Sequence, residues 1–138
     1  MSEMDDFNRG VIDEFRANHG KLGGPFDGAS MVLLTTTGAK SGKQRVNPLA
    51  TLPEKGTLYV FASKGGAPTD PDWYRNLVAH PDVEVEYGDE KFAAVAHVLT
   101  GAERDRVWAA QKGRVPAFAD YEKGTSRVIP VVELRRNN

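Results

Sequence analysis

The sequence contains no cysteine. That absence excludes a disulfide scaffold, a thiolate metal site and a cysteine nucleophile. It has no apolar run approaching the roughly 18 residues of a membrane span. Met1–Asp6 lacks the basic n-region of a signal peptide, so the chain reads as cytoplasmic. Net charge is nearly absent too: 18 Lys and Arg stand against 19 Asp and Glu, leaving −1. A near-neutral chain argues against an all-over nucleic-acid-binding surface. One further absence is local. From Gly28 to Pro53 there is no Asp or Glu, while Lys40, Lys43 and Arg45 all fall there. That stretch carries +3 and the remainder −4, which marks a candidate anion site in a neutral protein.

What is present fits one soluble domain over residues 1–138. Its 40% hydrophobic and 27% charged residues are ordinary for a soluble protein. A chain of this length builds a core without metal or disulfide staples. Met4, Phe7, Val11 and Phe15 recur at helical spacing behind a capping box at Ser2 and Asp5, and Gly20 supplies a stop. The spacing predicts an amphipathic helix over about 3–19. Its mixed polar face favours packing on its own domain, with peripheral membrane contact as the alternative.

Short β-branched and aromatic runs predict strands at Met31–Thr37, Val46–Leu52, Thr57–Ala62, Val83–Tyr87, Lys91–Leu99 and Val128–Leu134. Pro48 implies an edge or a bulge in the second, because proline lacks the ladder donor. Pro53–Gly56 reads as a turn and Asp72–Ala79 as a short helix. A capping box at Thr100 and Glu103 opens a helix ending near Gly113, and Pro116–Glu122 adds a further helical piece. Hairpin connections at roughly ten-residue spacing favour a small closed antiparallel barrel, mainly β with helices (α+β).

Several familiar motifs fail. Gly38-Ala39-Lys40-Ser41-Gly42-Lys43 has its glycines one residue too close for a P-loop, and Gln44 stands where Ser or Thr must bind magnesium. His19, His80 and His97 share no metal spacing, so no metal site is expected. Two turns with matched chemistry remain. In Lys40-Ser41-Gly42-Lys43-Gln44-Arg45, glycine lets backbone amides point outward while a lysine, a hydroxyl and an arginine converge, which suits phosphate or carboxylate. Ala62-Ser63-Lys64-Gly65-Gly66-Ala67 follows an apolar strand, and its small residues permit close approach of a flat ligand. Together they suggest a cofactor with a ring and a phosphorylated tail.

The run Thr36 to Leu49 closely resembles the signature of deazaflavin-dependent nitroreductases. Ala62 to Ala67, Pro71 to Leu77, His80-Pro81, Tyr121 and Arg127 to Val132 continue the resemblance in order. It implies a six-stranded antiparallel split β-barrel, similar to FMN-binding split barrels, that binds coenzyme F420. This cofactor is a 5-deazaflavin with a phospholactyl-oligoglutamate tail. By position, Lys40, Ser41 and Arg45 should hold the phosphate and tail, and Pro48 and Leu49 should line the ring. Ser63, Lys64, Gly65 and Gly66 should contact the ring, while Trp73, Tyr74, Asn76 and Leu77 should shape the same pocket. The implied activity is hydride transfer from reduced F420 to a hydrophobic organic acceptor: a quinone, an enone or a nitro compound. The cofactor carries the difficult step. Tyr121 is the candidate proton donor on the catalytic side. Where nitro-prodrug-reducing members have tyrosines, Ala50, Val115 and Phe118 stand here, so a more apolar acceptor pocket is expected. A non-catalytic F420 carrier and an FMN-dependent split-barrel oxidoreductase are the alternatives. A homodimer is the expected assembly, because split barrels commonly pair through a barrel face.

Overall fold

The computed structural model describes residues 3–23, 30–63 and 69–136, with residues 3–7 described for their backbone only. Lys64, Gly65 and Gly66 lie outside the described residues. The elements run α1 (Glu3–Ala17), β1 (Met31–Thr37), β2 (Gln44–Glu54), β3 (Thr57–Phe61), α2 (Asp72–Ala79), β4 (Asp82–Tyr87), β5 (Glu90–Val98), α3 (Gly101–Arg114), α4 (Ala117–Lys123) and β6 (Val131–Arg136). The strands close into an antiparallel barrel, as the hairpin spacing predicts, and their order is β1-β2-β3-β6-β5-β4.

Antiparallel closure decides which connections meet. The C-terminal ends of β1, β3 and β5 and the N-terminal ends of β2, β4 and β6 share one mouth of the barrel. The turn after β1, the segment after β3, helix α2 and the approach to β6 therefore all lie there. The β2–β3 and β4–β5 hairpins close the opposite end.

Inward side chains of all but one strand, among them Val32, Leu34, Val60, Val85, Ala94 and Val132, form the interior cluster, joined by Trp73 and Leu77 of α2. Along β4 the predicted alternation holds: Val83 and Val85 are buried, while Glu84 and Glu86 are half-buried. β1 is buried on both faces, because α1 covers its outer side with Val11 and Phe15 against Met31 and Leu33. That is why β1 reads as a continuous apolar run. It also spends Val11 and Phe15 on the barrel rather than on a lipid surface. A third cluster, with Phe61, Trp108, Phe118 and Ile129, joins α3 and α4 to the outer faces of β3 and β6.

The structure revises several sequence-based boundaries. β2 runs from Gln44 through Pro53 to Glu54, so Arg45 is a strand residue and the turn shrinks to Lys55-Gly56. Both turn residues take positive φ, 51° and 83°, matching the twist a two-residue hairpin needs. Pro48 causes no bulge, since the β1–β2 register passes through Leu33↔Pro48 without a slip. β6 begins at Val131 and extends to Arg136, leaving Val128 75% exposed. Pro130 cannot donate to a ladder, and its carbonyl instead accepts from Ala62 N–H at 3.0 Å. Thr100 has extended N-cap geometry but makes no side-chain cap bond, so the second capping box does not form. Gly101, at φ 61°, turns the chain as it enters α3. The Ser2 and Asp5 box lies outside the described side chains.

Helix α1 spans the barrel from mouth to closed end. There the Gly20 N–H bonds the Phe15 carbonyl at 2.8 Å at φ 85°. A Cβ on Gly20 would sit 2.7 Å from Gly88 Cα in the β4–β5 hairpin. Arg16 grips Glu86 through two of its nitrogens, Nε to Oε1 at 3.0 Å and Nη2 to Oε2 at 2.9 Å. This pairing holds the Glu86 carboxyl below its usual range, burial opposing it and nearby Lys91 assisting. Two outcomes are expected. Gly20→Ala should destabilise the fold by about 2 kcal/mol, the cost of a left-handed non-glycine residue, before the backbone overlap is counted. An unchanged urea midpoint would refute this packing. The lowered Glu86 value contributes stability above the ordinary glutamate value of 4.5, and that contribution is lost as pH falls. Acid should therefore destabilise the parent protein more than an Arg16→Ala variant, compared by thermal unfolding across the acid range.

Candidate functional site

The turn after β1 is built by its own backbone. Gly38 N–H bonds the Lys43 carbonyl at 2.8 Å, and Gly42 N–H bonds the Gly38 carbonyl at 3.0 Å. Ser41 Oγ accepts from Lys43 N–H at 3.2 Å, leaving its own O–H free to donate. Gly42 sits at φ 71°, where glycine is favoured. A Cβ on Gly38 would overlap Ser41 Oγ. The turn thus presents Lys40 and Ser41 outward on a tight cradle.

Asn76 of α2 fixes this turn from below. Its Oδ1 accepts from Ala39 N–H at 3.0 Å, and its Nδ2 donates to Thr36 Oγ1 at 3.2 Å. The side chain is buried. These two bonds join α2, the end of β1 and the turn, so Asn76 acts here as a positioning residue.

Beside the turn lies a cleft of about 940 Å³. Lys40, Ser41 and Arg45 line it on one side, Trp73 and Asn76 on another, and Asn8, Arg9 and Ile12 of α1 on a third. Its charge is lopsided: Arg9, Lys40, Arg45 and Arg75 against Asp72 alone. Arg75 is ion-paired with Asp72. The donor set suits an anion, which is the chemistry read from the sequence.

The cleft follows from how β2 is paired. Over Gln44–Ala50 it pairs with β1, and only from Thr51 to Glu54 does it pair with β3. Among the described residues the second edge of Gln44–Ala50 has no strand partner. Register places Arg45, Asn47 and Leu49 on the face of Thr36, Leu34 and Val32, toward the interior. Gln44, Val46, Pro48 and Ala50 face the α1 side. Pro48 and Leu49 therefore point to opposite faces, and a flat ligand meets both only along the open edge.

The second turn is anchored at both ends by Arg127. Its Nη1 donates to the Ala62 carbonyl at 3.0 Å and to Asp70 Oδ1 at 2.9 Å, and its Nη2 donates to the Ser63 carbonyl at 2.8 Å. Ser63 is buried. Trp73 is buried in the interior cluster and Tyr74 packs half-buried against it. Burial, with Asp70 assisting, raises the Tyr74 hydroxyl above its usual value. Tyr121 stands apart from the cleft. It packs on Phe118 with ring centroids 5.2 Å apart, at the edge of the α3/α4 cluster. Ala50 touches this cluster and the α1 cluster, Phe118 is buried within the α3/α4 cluster, and Val115 follows α3 exposed.

Sequence reasoning missed three contributors. Arg127 opens the run Arg127 to Val132, but nothing local shows that it binds backbone more than sixty residues away. The Asp72–Arg75 pair shows only as ordinary helical i, i+3 spacing. Arg9 lies on the polar face of an amphipathic helix, where cations are unremarkable.

Comparison with known proteins agrees with this geometry. The family model described as F420H(2)-dependent quinone reductase matches residues 7–135. An F420H(2)-dependent quinone reductase of Mycobacterium tuberculosis is 36% identical over 126 residues, covering 88% of this chain and 85% of the relative. A solved F420-H2 dependent reductase, FDR-A, superposes with TM-score 0.71 at 43% identity, covering 77% of this chain and 94% of that one. A structure described as a domain-swapped dimer superposes with TM-score 0.73 at 36% identity, covering 97% and 100%. HutZ, the heme storage protein from Vibrio cholerae, at 16% identity and TM-score 0.61 over 94% of this chain and 89% of its own, shares the fold alone. The chain belongs to the F420H(2)-dependent quinone reductase family of oxidoreductases, and its cofactor is coenzyme F420.

Proposed function

We propose that this protein, acting as one domain over residues 1–138, reduces quinones with F420 held across the barrel mouth. The observation that carries the reading is the cationic cleft on the open edge of β2, beside a turn locked by Asn76. Lys40, Ser41 and Arg45 hold the phosphate of the cofactor through charge-assisted and hydroxyl hydrogen bonds. Pro48 and Leu49 border the ring along the open edge of β2. Ser63, Lys64, Gly65 and Gly66 approach it from the segment anchored by Arg127. Trp73 and Tyr74 supply apolar wall, and Asn76 holds the phosphate turn in place.

Bound reduced F420 supplies a hydride, and a quinone that takes it up with one proton becomes the quinol. The chain's own part is to orient, to exclude water and to deliver that proton. Tyr121 is assigned as the proton donor, with Phe118 packed against its ring. Ala50, Val115 and Phe118 bring no hydroxyls to the acceptor side, which favours quinones and enones over nitro compounds. The reading places the protein in the cytoplasm; no described helix is long and apolar enough to cross a membrane. A homodimer accords with the domain-swapped neighbour. Peripheral membrane contact through α1 has less support, because Val11 and Phe15 pack on the barrel.

Two measurements test the assignment. Lys40→Ala with Arg45→Ala should weaken F420 binding at least tenfold, since a hydrogen bond to a charged group contributes about 1.5–3 kcal/mol. Fluorescence titration reads this directly, and unchanged affinity in a folded double variant removes the phosphate assignment. Tyr121→Phe should lower kcat with menadione about a hundredfold, the scale of a lost general acid. A rise in KM alone would make Tyr121 a wall of the pocket rather than a donor.

A further inference from the structure

Two parts of the proposed site come from separate pieces of the chain. The ring-facing segment starts at Ala62 and Ser63, after β3. The acceptor side rides on α3 and α4, with Phe118 and Tyr121. Arg104 of α3 touches the supports of both. Its Nε and Nη2 donate to one acceptor, the Ile129 carbonyl, at 3.2 and 2.7 Å. The next carbonyl along, Pro130, accepts from Ala62 N–H at 3.0 Å. The same guanidinium lies over the Trp108 ring, 5.3 Å from its centroid and within cation–π range. Trp108 packs on Phe118 at 6.0 Å, and Phe118 on Tyr121 at 5.2 Å. One side chain thus joins a row of rings that ends at Tyr121 to the residue before the anchor of Ala62.

Helix α3 does not need Arg104 for its own sake. The residue sits near the N-terminus of the helix, where a cation works against the helix dipole. An arginine without a task keeps its charged head in water, yet this side chain is 13% exposed. Its Nη1 reaches the exposed Asp105 carboxylate at 3.2 Å. The charge therefore stays paired while the Nε/Nη2 edge of the planar group is given to Ile129. A guanidinium offers two N–H groups on one rigid edge, which a lysine cannot do.

Hydride transfer depends on how closely donor and acceptor are held, and a misplacement of about 1 Å costs about a hundredfold in rate. We infer that Arg104 is a positioning residue for the reaction: it sets the acceptor-side helices against the ring-facing segment and so fixes the gap the hydride crosses. This rests on the proposed placing of the ring beside Ser63 and of the acceptor beside Phe118 and Tyr121. Arg104 acts through Ile129, Pro130 and Trp108 and touches neither cofactor nor quinone.

The test compares the parent with Arg104→Ala, Arg104→Lys and, as a control, Arg106→Ala. Arg106 lies on the same helix and pairs with Glu54 of β2 at 2.9 Å, so its loss removes an anchor of α3 without touching Ile129. Amide hydrogen exchange, followed without cofactor, reads the tie. In Arg104→Ala the Ala62 amide should exchange about tenfold faster, the low end of what a hydrogen bond to a charged group contributes. The Gly38 and Gly42 amides of the phosphate turn should keep the parent rates, and Arg104→Lys should fall between. Kinetics with reduced F420 and menadione read the consequence. Arg104→Ala should lower kcat about tenfold, within the loss expected of a shift below about 1 Å, and leave the KM for menadione and the affinity for F420 near the parent's. Arg106→Ala should match the parent in both measurements. Unchanged exchange at Ala62 in Arg104→Ala overturns the inference. So does a kcat that stays at the parent value, or one that falls equally in Arg106→Ala. If Arg104→Ala does not fold, Arg104→Lys carries both measurements. A parent protein that does not reduce menadione removes the quinone reading, while exchange still decides whether Arg104 holds Ala62.

Discussion

β2 must serve two neighbours in succession, and the functional architecture depends on that constraint. Its lower part completes the barrel with β3, while among the described residues its upper part has no strand partner but β1. β3 ends at Phe61, and its chain turns toward the segment before β6, where Ala62 bonds Pro130. A strand edge is thereby opened at the mouth. Exposed edges invite pairing with other chains. Here the edge borders the cleft, flanked by α1, the Lys40 turn and α2.

Around that edge the side chains divide the labour between holding and presenting. Asn76 spends its buried amide on two bonds that lock the turn, so Lys40 and Ser41 can point outward without carrying the turn's own geometry. Arg127 does the same for the segment after β3. Helices α3 and α4 are held together by their own contacts. Trp108 Nε1 donates to Glu122 Oε2 at 2.6 Å, and Lys112 pairs with Glu122 Oε1 at 3.0 Å. Lys112, with the Trp108 bond assisting, keeps the Glu122 carboxyl below its usual range. Tyr121 thus rides on a helix anchored independently of the phosphate turn.

Much of this was legible in the sequence, for reasons that can be named. Strand alternation and two-residue turns are local, so the barrel and its order of elements could be read. The cationic turn stood out because acids are missing around it. What failed was also physical in origin. Pro53 reads as a turn residue in isolation, yet it sits opposite Leu58 in the β2–β3 ladder. Val128 and Ile129 look like strand, but Pro130 delays the ladder. The bridges made by Asn76 and Arg127 link residues 37 to 65 positions apart. No spacing rule reveals such pairs, because the barrel's closure creates their proximity.

Arg127 holds Ala62, Ser63 and Asp70 with one planar group, so both ends of the intervening segment are referenced to a single point on the approach to β6. Its endpoints are thereby set by two main-chain carbonyls and the Asp70 carboxylate. The clasp ties the chain leaving β3 to the chain approaching β6 through one side chain.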